Sequence, residues 1–150
     1  MQLKGHKLID AHPSVCYRVL TNPESLVKTM PGLKTLTAIE DGKYRAELEM
    51  GVAAIKGRYV GLMSIENAIP NESYRLVMDG QGPGGFVNVN LLVQFQEVDQ
   101  GCDVLYEGEA KVGGTVAGVG QRMLSGVATF TMNTFFGNVA KEARNISPSL

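Results

Sequence analysis

Between residues 43 and 112, apolar and polar positions alternate with a period of two, the pattern of strands with one buried face. The clearest run is Lys43–Met50, where Tyr44, Ala46, Leu48 and Met50 alternate with Lys43, Arg45, Glu47 and Glu49. A longer strand is predicted over Gly57–Ile69, with Tyr59, Gly61, Met63 and Ile65 on one face. Tyr74, Leu76, Met78 and Gly80 then alternate with Ser73, Arg75, Val77 and Asp79. After the glycine-rich GQGPGG, Val87, Val89, Leu91, Val93 and Phe95 share a face. The last strand sets Val104, Tyr106, Gly108, Ala110 and Val112 against Asp103, Glu107, Glu109 and Lys111. Turn residues separate these runs at Asp41-Gly42, Pro70-Asn71-Glu72 and Asp99-Gln100-Gly101.

The flanks read differently. Residues 2–10 predict a first strand, with Leu3, Gly5 and Ile9 opposite Gln2, Lys4, His6 and Asp10. His12-Pro13-Ser14 opens a short helix, with Pro13 in the first turn and Val15, Cys16, Val19 and Leu20 on its apolar side. Thr21 and Glu24 have capping-box spacing and predict a second short helix that buries Leu26, Val27 and Met30 and stops at Pro31-Gly32. After Gly113-Gly114, Thr115 is the expected N-cap of one long helix over residues 115–144. The expected fold is α+β. A curved antiparallel sheet of about six or seven strands wraps around a long C-terminal helix, with two short helices after the first strand. Residues 1–145 read as one domain and residues 146–150 as a loose tail.

The long helix is short of charge: between Lys111 and Lys141, Arg122 is the one charged side chain. A surface helix normally has a charged face opposite its apolar stripe, so this one is expected to meet something other than bulk water on more than one side. Gln121, the asparagines, threonines and glycines set it apart from a membrane span, although contact with a bilayer surface stays open. Val116, Gly120, Met123, Val127, Thr131 and Thr134 are expected to face the sheet, and Phe130 and Met132 a partner.

A formal net charge of −1, with lysine and arginine scattered singly, argues against a nucleic-acid surface. The first ten residues, MQLKGHKLID, hold no apolar run of signal-peptide length. Cys16 and Cys102 make neither a disulfide framework nor a zinc pattern and read as buried thiols of a cytoplasmic protein. His6 and His12 are too few for a metal site, and GQGPGG lacks the Lys-Ser/Thr of a phosphate loop. No catalytic residue and no metal ligand is assigned. Glu47 and Glu49 read as solvated strand charges.

The inward faces contain many small residues: Ala46, Gly61, Gly80, Gly108 and Ala110, and the chain has no tryptophan. Such positions either let a helix dock closely or leave a hollow interior. In the second case the pocket walls would be Tyr44, Leu48, Tyr59, Met63, Met78, Phe86, Leu91 and Tyr106, closed by Met123 and Val127. Tyr44, Tyr59 and Tyr106 would supply hydrogen bonds.

A series of landmarks follows one order along the chain: Met1-Gln-Leu-Lys-Gly5, Pro31-Gly32, Gly51, Lys56-Gly57-Arg58-Tyr59-x-Gly61 and Gly80-x-Gly82. Tyr106, Val112-Gly113-Gly114, Gly120-Gln-Arg122 and Phe135-Phe136 continue it. Over roughly residues 1–140 the sequence resembles the carbon monoxide dehydrogenase G-subunit family, within the START/Bet v 1-like helix-grip superfamily. Two departures stand out: Tyr17 occupies the place of a frequent tryptophan, and Phe130 and Met132 fall where charged residues are usual. The resemblance implies a helix-grip fold with a long cavity between sheet and C-terminal helix, and no required cofactor. It also implies an accessory protein of molybdenum hydroxylases of the carbon monoxide dehydrogenase type. Its role would be to assist their membrane association, at the inner membrane face, or to bind a lipophilic electron carrier, a quinone first. Arg122 would meet a polar headgroup or a quinone carbonyl, or else pair with an acidic strand residue or point into water. Two other readings stand beside that non-enzymatic carrier. One is a recruiting or homodimerising module acting through the outer face of the last helix. The other is a cyclase- or hydrolase-like enzyme on the same fold.

Overall fold

A computed structural model describes residues 1–51 and 56–146. Seven strands form one antiparallel sheet in the order β1-β7-β6-β5-β4-β3-β2. They are β1 (Gln2–Ile9), β2 (Leu33–Glu40), β3 (Lys43–Met50), β4 (Gly57–Ile69), β5 (Ser73–Gly82), β6 (Gly85–Val98) and β7 (Gly101–Gly113). Helices α1 (Pro13–Thr21) and α2 (Pro23–Thr29) follow β1, and α3 (Gln121–Ile146) ends the described chain. Every strand but β1 pairs with its sequence neighbour, and β1 closes on β7 with Gly5 opposite Tyr106. The helix-grip arrangement follows: all three helices lie on the inward face, with α3 packed on α1, α2 and β1.

The inward set read from the alternation forms much of the core. Met63, Tyr74, Leu91, Val93 and Val104 are buried together with Cys16, Val19 and Leu20 of α1. Tyr17, the residue in the tryptophan's place, meets Tyr74 and Phe95 edge-on, at centroid distances of 6.2 and 5.6 Å.

Four local expectations are corrected. Asn22, not Thr21, caps α2: its Oδ1 accepts from the backbone N–H groups of Glu24 and Ser25. Thr21 instead ends α1, and its hydroxyl donates to the Tyr17 carbonyl at 2.7 Å. Strand β2 is one that the alternation does not announce, because as an edge strand it buries only Leu33 and, in part, Leu36. The long helix does not begin at Thr115. Residues Thr115–Val119 form a 3-10 turn after Gly114, and Thr115 Oγ1 donates to the Gly84 carbonyl on the β5–β6 turn at 3.0 Å. Gly120, with φ +95°, breaks that turn from α3. At the other end α3 runs through Ile146, two residues past its expected end, and residues 147–150 of the expected tail lie outside the described residues.

Candidate functional site

Helix α3 has two unlike halves. From Phe135 onward it is anchored: Phe135, Phe136, Val139, Ala140 and Ala143 are buried. Asn138 Nδ2 donates to the Thr29 carbonyl at 2.9 Å, and Glu142 and Asp10 take Lys28 and Arg144 as ion-pair partners. From Gln121 to Thr134 no residue of α3 is fully buried. That half stands off the sheet, and the space beneath it is an apolar cavity of about 240 Å³. A void of about 150 Å³ already holds benzene, and ligand pockets commonly run from about 300 Å³ upward. This one suits a ligand of one or two rings or a length of lipid chain. From Leu124 to Phe135, both on its wall, eleven helical steps span roughly 16 Å.

The walls come from the inward faces of β1 and β3 to β7, from the α2–β2 turn, from Val116 of the 3-10 turn and from α3. Leu48, Tyr59, Met78, Leu91 and Val127, expected at the pocket, line it. Gly80 and Ala110 line it too, so the small inward residues at these two positions border open volume. Gly61 serves the other purpose: a Cβ there would collide with the Asp79 carbonyl of the neighbouring strand.

The remaining expected residues fall elsewhere. Met63 is fully buried in the core and does not reach the cavity. Tyr106 stacks on Phe136, with centroids 5.0 Å apart and planes 9° from parallel, and its hydroxyl end fills the space over Gly5. Tyr44 is half-buried on β3 away from the cavity. Phe86 alternates with the inward Val87, so it turns to the outer face, 42% exposed, with its ring over Gly113. Met132, expected outward, packs against the core and lines the cavity. Phe130 is 68% exposed, as expected of an outer residue. Met123 is displaced from the inward face: it is 51% exposed and lines, with Arg122 and Phe130, a groove outside the cavity. Arg122 forms no ion pair among the described residues, although Glu49 borders the same groove.

Groove and cavity share Pro31, Met50, Val127 and Thr131, so the groove is the approach to the cavity between α3 and the Pro31-Gly32 turn. Sequence periodicity missed this approach because Pro31 and Gly32 lie in a turn, outside any periodic run. Counting methionines gives a better signal. Met1, Met30, Met50, Met78 and Met132 all line the cavity, five of the chain's seven. Thioethers adapt their shape and make favourable contacts with aromatic rings.

Polar groups are scarce on this wall, and none of the described lining residues is a carboxylate, imidazole or thiol. Burial pushes the Tyr74 phenol well above its usual range, and its hydroxyl donates to the Leu20 carbonyl at 3.4 Å. Cys16 and Cys102 lie fully buried away from the cavity; the neighbouring Cys102 side chain and burial push the Cys16 thiol up, and Cys16 Sγ donates to the Ala11 carbonyl at 3.8 Å. Among the described residues no cluster of histidine, cysteine and carboxylate groups forms a metal site, and no helix is long and apolar enough to cross a membrane.

A conserved protein from Geobacillus kaustophilus shares 33% identity over 97% of this chain and 96% of its own, with a TM-score of 0.93. A START superfamily protein from Mycobacterium smegmatis has the same fold at 11% identity, covering 97% of this chain and 99% of its own, with a TM-score of 0.76. The protein TTHA0849 from Thermus thermophilus matches at 14% identity over 98% and 99% of the two chains, with a TM-score of 0.72. No curated protein matches the sequence. The family model of the carbon monoxide dehydrogenase G subunit (CoxG) matches residues 5–144, and the chain belongs to that family.

Proposed function

We propose that the protein is a non-enzymatic holder of a lipophilic small molecule, with a quinone as the leading candidate, serving a molybdenum hydroxylase of the carbon monoxide dehydrogenase type. Family and fold support the coarser statement, a ligand-binding or accessory role. The observation that carries the reading is the apolar cavity under the unanchored half of α3. Its wall gives a ligand methionine, aliphatic and aromatic contacts, which suit a flat ring or a lipid chain and repel charge. The enzyme reading lacks support because no acid–base pair borders the cavity among the described residues.

A second reading concerns what receives or delivers the ligand. Phe130 and Met123 project beside the approach with Arg122, and exposed apolar side chains at the mouth of a lipophile site favour hand-over without passage through water. The receiving surface would be the dehydrogenase, a second copy or a bilayer.

The test is native mass spectrometry of the full chain incubated with menadione, decanol or 2-methylnaphthalene. At least one should give a one-to-one adduct, with the quinone retained at the lowest concentration. No adduct with any of the three would overturn the proposal.

A further inference from the structure

The cavity presents carbon and sulfur almost everywhere, so its few polar atoms decide which lipophile it prefers. Tyr59 projects inward from β4 and is only 6% exposed. Its ring lies against Gly82, where a Cβ would come within 2.7 Å of Cδ2 and 2.8 Å of Cε2. Its hydroxyl lies beside Gly84, 3.6 Å from where a Cβ would stand. The Gly84 carbonyl in that turn is already taken, accepting from the Val116 N–H at 2.8 Å and from Thr115 Oγ1 at 3.0 Å. A carbonyl oxygen has two lone pairs, and both are then in use.

Among the described residues the Tyr59 hydroxyl therefore has no hydrogen-bond partner. Among the described residues no sealed side-chain oxygen or nitrogen is left without one. The Tyr59 hydroxyl falls outside that class because it borders open space, and the space Tyr59 lines is the cavity. The other hydroxyls on the wall are differently placed. Tyr74 is engaged with Leu20, and Thr131 sits half-buried where the cavity meets the outer groove.

Resting on the holder reading above, we infer that Tyr59 is the group that selects and orients the ligand. Its hydroxyl donates a hydrogen bond to a carbonyl or ether oxygen at the Gly84–Val116 end, and the apolar remainder of the ligand lies along α3 toward Phe135 and Phe136. The preferred class is then a lipophile with an acceptor oxygen at one end, above a plain hydrocarbon of the same shape. A charged headgroup is disfavoured there, since a single neutral donor does not offset its desolvation.

Menadione and 2-methylnaphthalene share the methylated two-ring frame and differ in the two carbonyls. Binding of each to the full chain is measured by calorimetry, alongside Tyr59→Phe, which keeps the ring and removes the donor. The native chain should bind menadione about three- to tenfold more tightly than the hydrocarbon, the range of one net hydrogen bond. Tyr59→Phe should remove that preference by weakening menadione alone, with an unchanged melting temperature. The carbonyl stretch of bound menadione should shift down in the native chain and return toward its free value in the variant. If both probes bind with equal affinity and Tyr59→Phe alters neither affinity nor stretch, the inference is overturned while the holder reading survives. Equal weakening of both probes by Tyr59→Phe also overturns it, because it marks a packing role. Failure of both probes to bind at all counts against the holder reading itself.

Discussion

Replacing Gly80 with leucine tests the cavity directly. Gly80 lies on β5 between Gly61 of β4 and Val87 of β6 and lines the cavity. A Cβ added there would meet nothing nearer than the Val87 carbonyl oxygen at 3.8 Å, and its φ is not in the left-handed region. Leucine brings four carbons into the apolar space, worth up to about 3 kcal/mol at ~0.8 kcal/mol per buried CH2. Removing a strand-interior glycine adds about 0.5–1 kcal/mol, and fixing the new rotamer costs a similar amount. The expected net gain is about 2–3 kcal/mol, or a melting temperature higher by roughly 4–10 °C for a chain of this length. Thermal unfolding by circular dichroism reads the stability, and calorimetry with menadione reads the site. The variant should be more stable and should bind at least tenfold more weakly, because the side chain occupies the ligand's place. Gly61→Ala, one strand away, is the control, and it should destabilise the chain, since its Cβ meets the Asp79 carbonyl. A destabilised Gly80→Leu would refute the open volume. A stabilised variant with unchanged affinity would refute its use as the binding site.

Phe130→Glu places a charge on the exposed ring at the cavity approach. It should reduce self-association in light scattering, or flotation with liposomes, with melting temperature and menadione affinity unchanged; retention of both associations would remove the docking role of this face. The Tyr74 phenol, raised by burial, predicts an alkaline loss of stability. Above the ordinary phenol value of about 10, the unfolded chain releases a proton that the folded chain keeps, so unfolding becomes easier by about 1.4 kcal/mol per pH unit. Tyr74→Phe should flatten that slope between pH 10 and 11.5 in urea titrations, while costing about 0.5–1.5 kcal/mol at pH 7 for the lost bond to Leu20. An equal slope in both proteins would show that other groups govern it.

Most of the sheet was legible because alternation reports burial directly. Leu48, Met63, Leu76, Leu91 and Val104 face inward as their period requires. The sequence failed where burial was not what fixed the structure. Strand β2 is held by backbone pairing to β3 at a sheet edge, so its side chains leave no periodic mark. Thr115 has the chemistry of a helix cap, but a tertiary acceptor, the Gly84 carbonyl, claims its hydroxyl. Within the inward set, core and cavity wall share one composition. Met63 and Met78 are directly paired on neighbouring strands, yet one is core and the other cavity wall. No local pattern separates them, because the difference arises from how far α3 stands above each.

The same separation explains the missing charges of the long helix. Its second half meets α1 and α2, carries Lys141 and Arg144 on its exposed side, and pairs Glu142 with Lys28 of α2, as an ordinary packed helix does. Its first half has a cavity on one side, bordered by Leu124, Val127, Ala128 and Thr131, and the groove with Met123 and Phe130 on the other. A charge on the inner side would lie unpaired in an apolar space, at a cost of several kcal/mol. On the outer side no such penalty applies, yet Arg122 is the one charged residue there. Burial in the folded monomer therefore accounts for the inner face alone. The composition of the outer face fits the covered surface that the proposed hand-over requires.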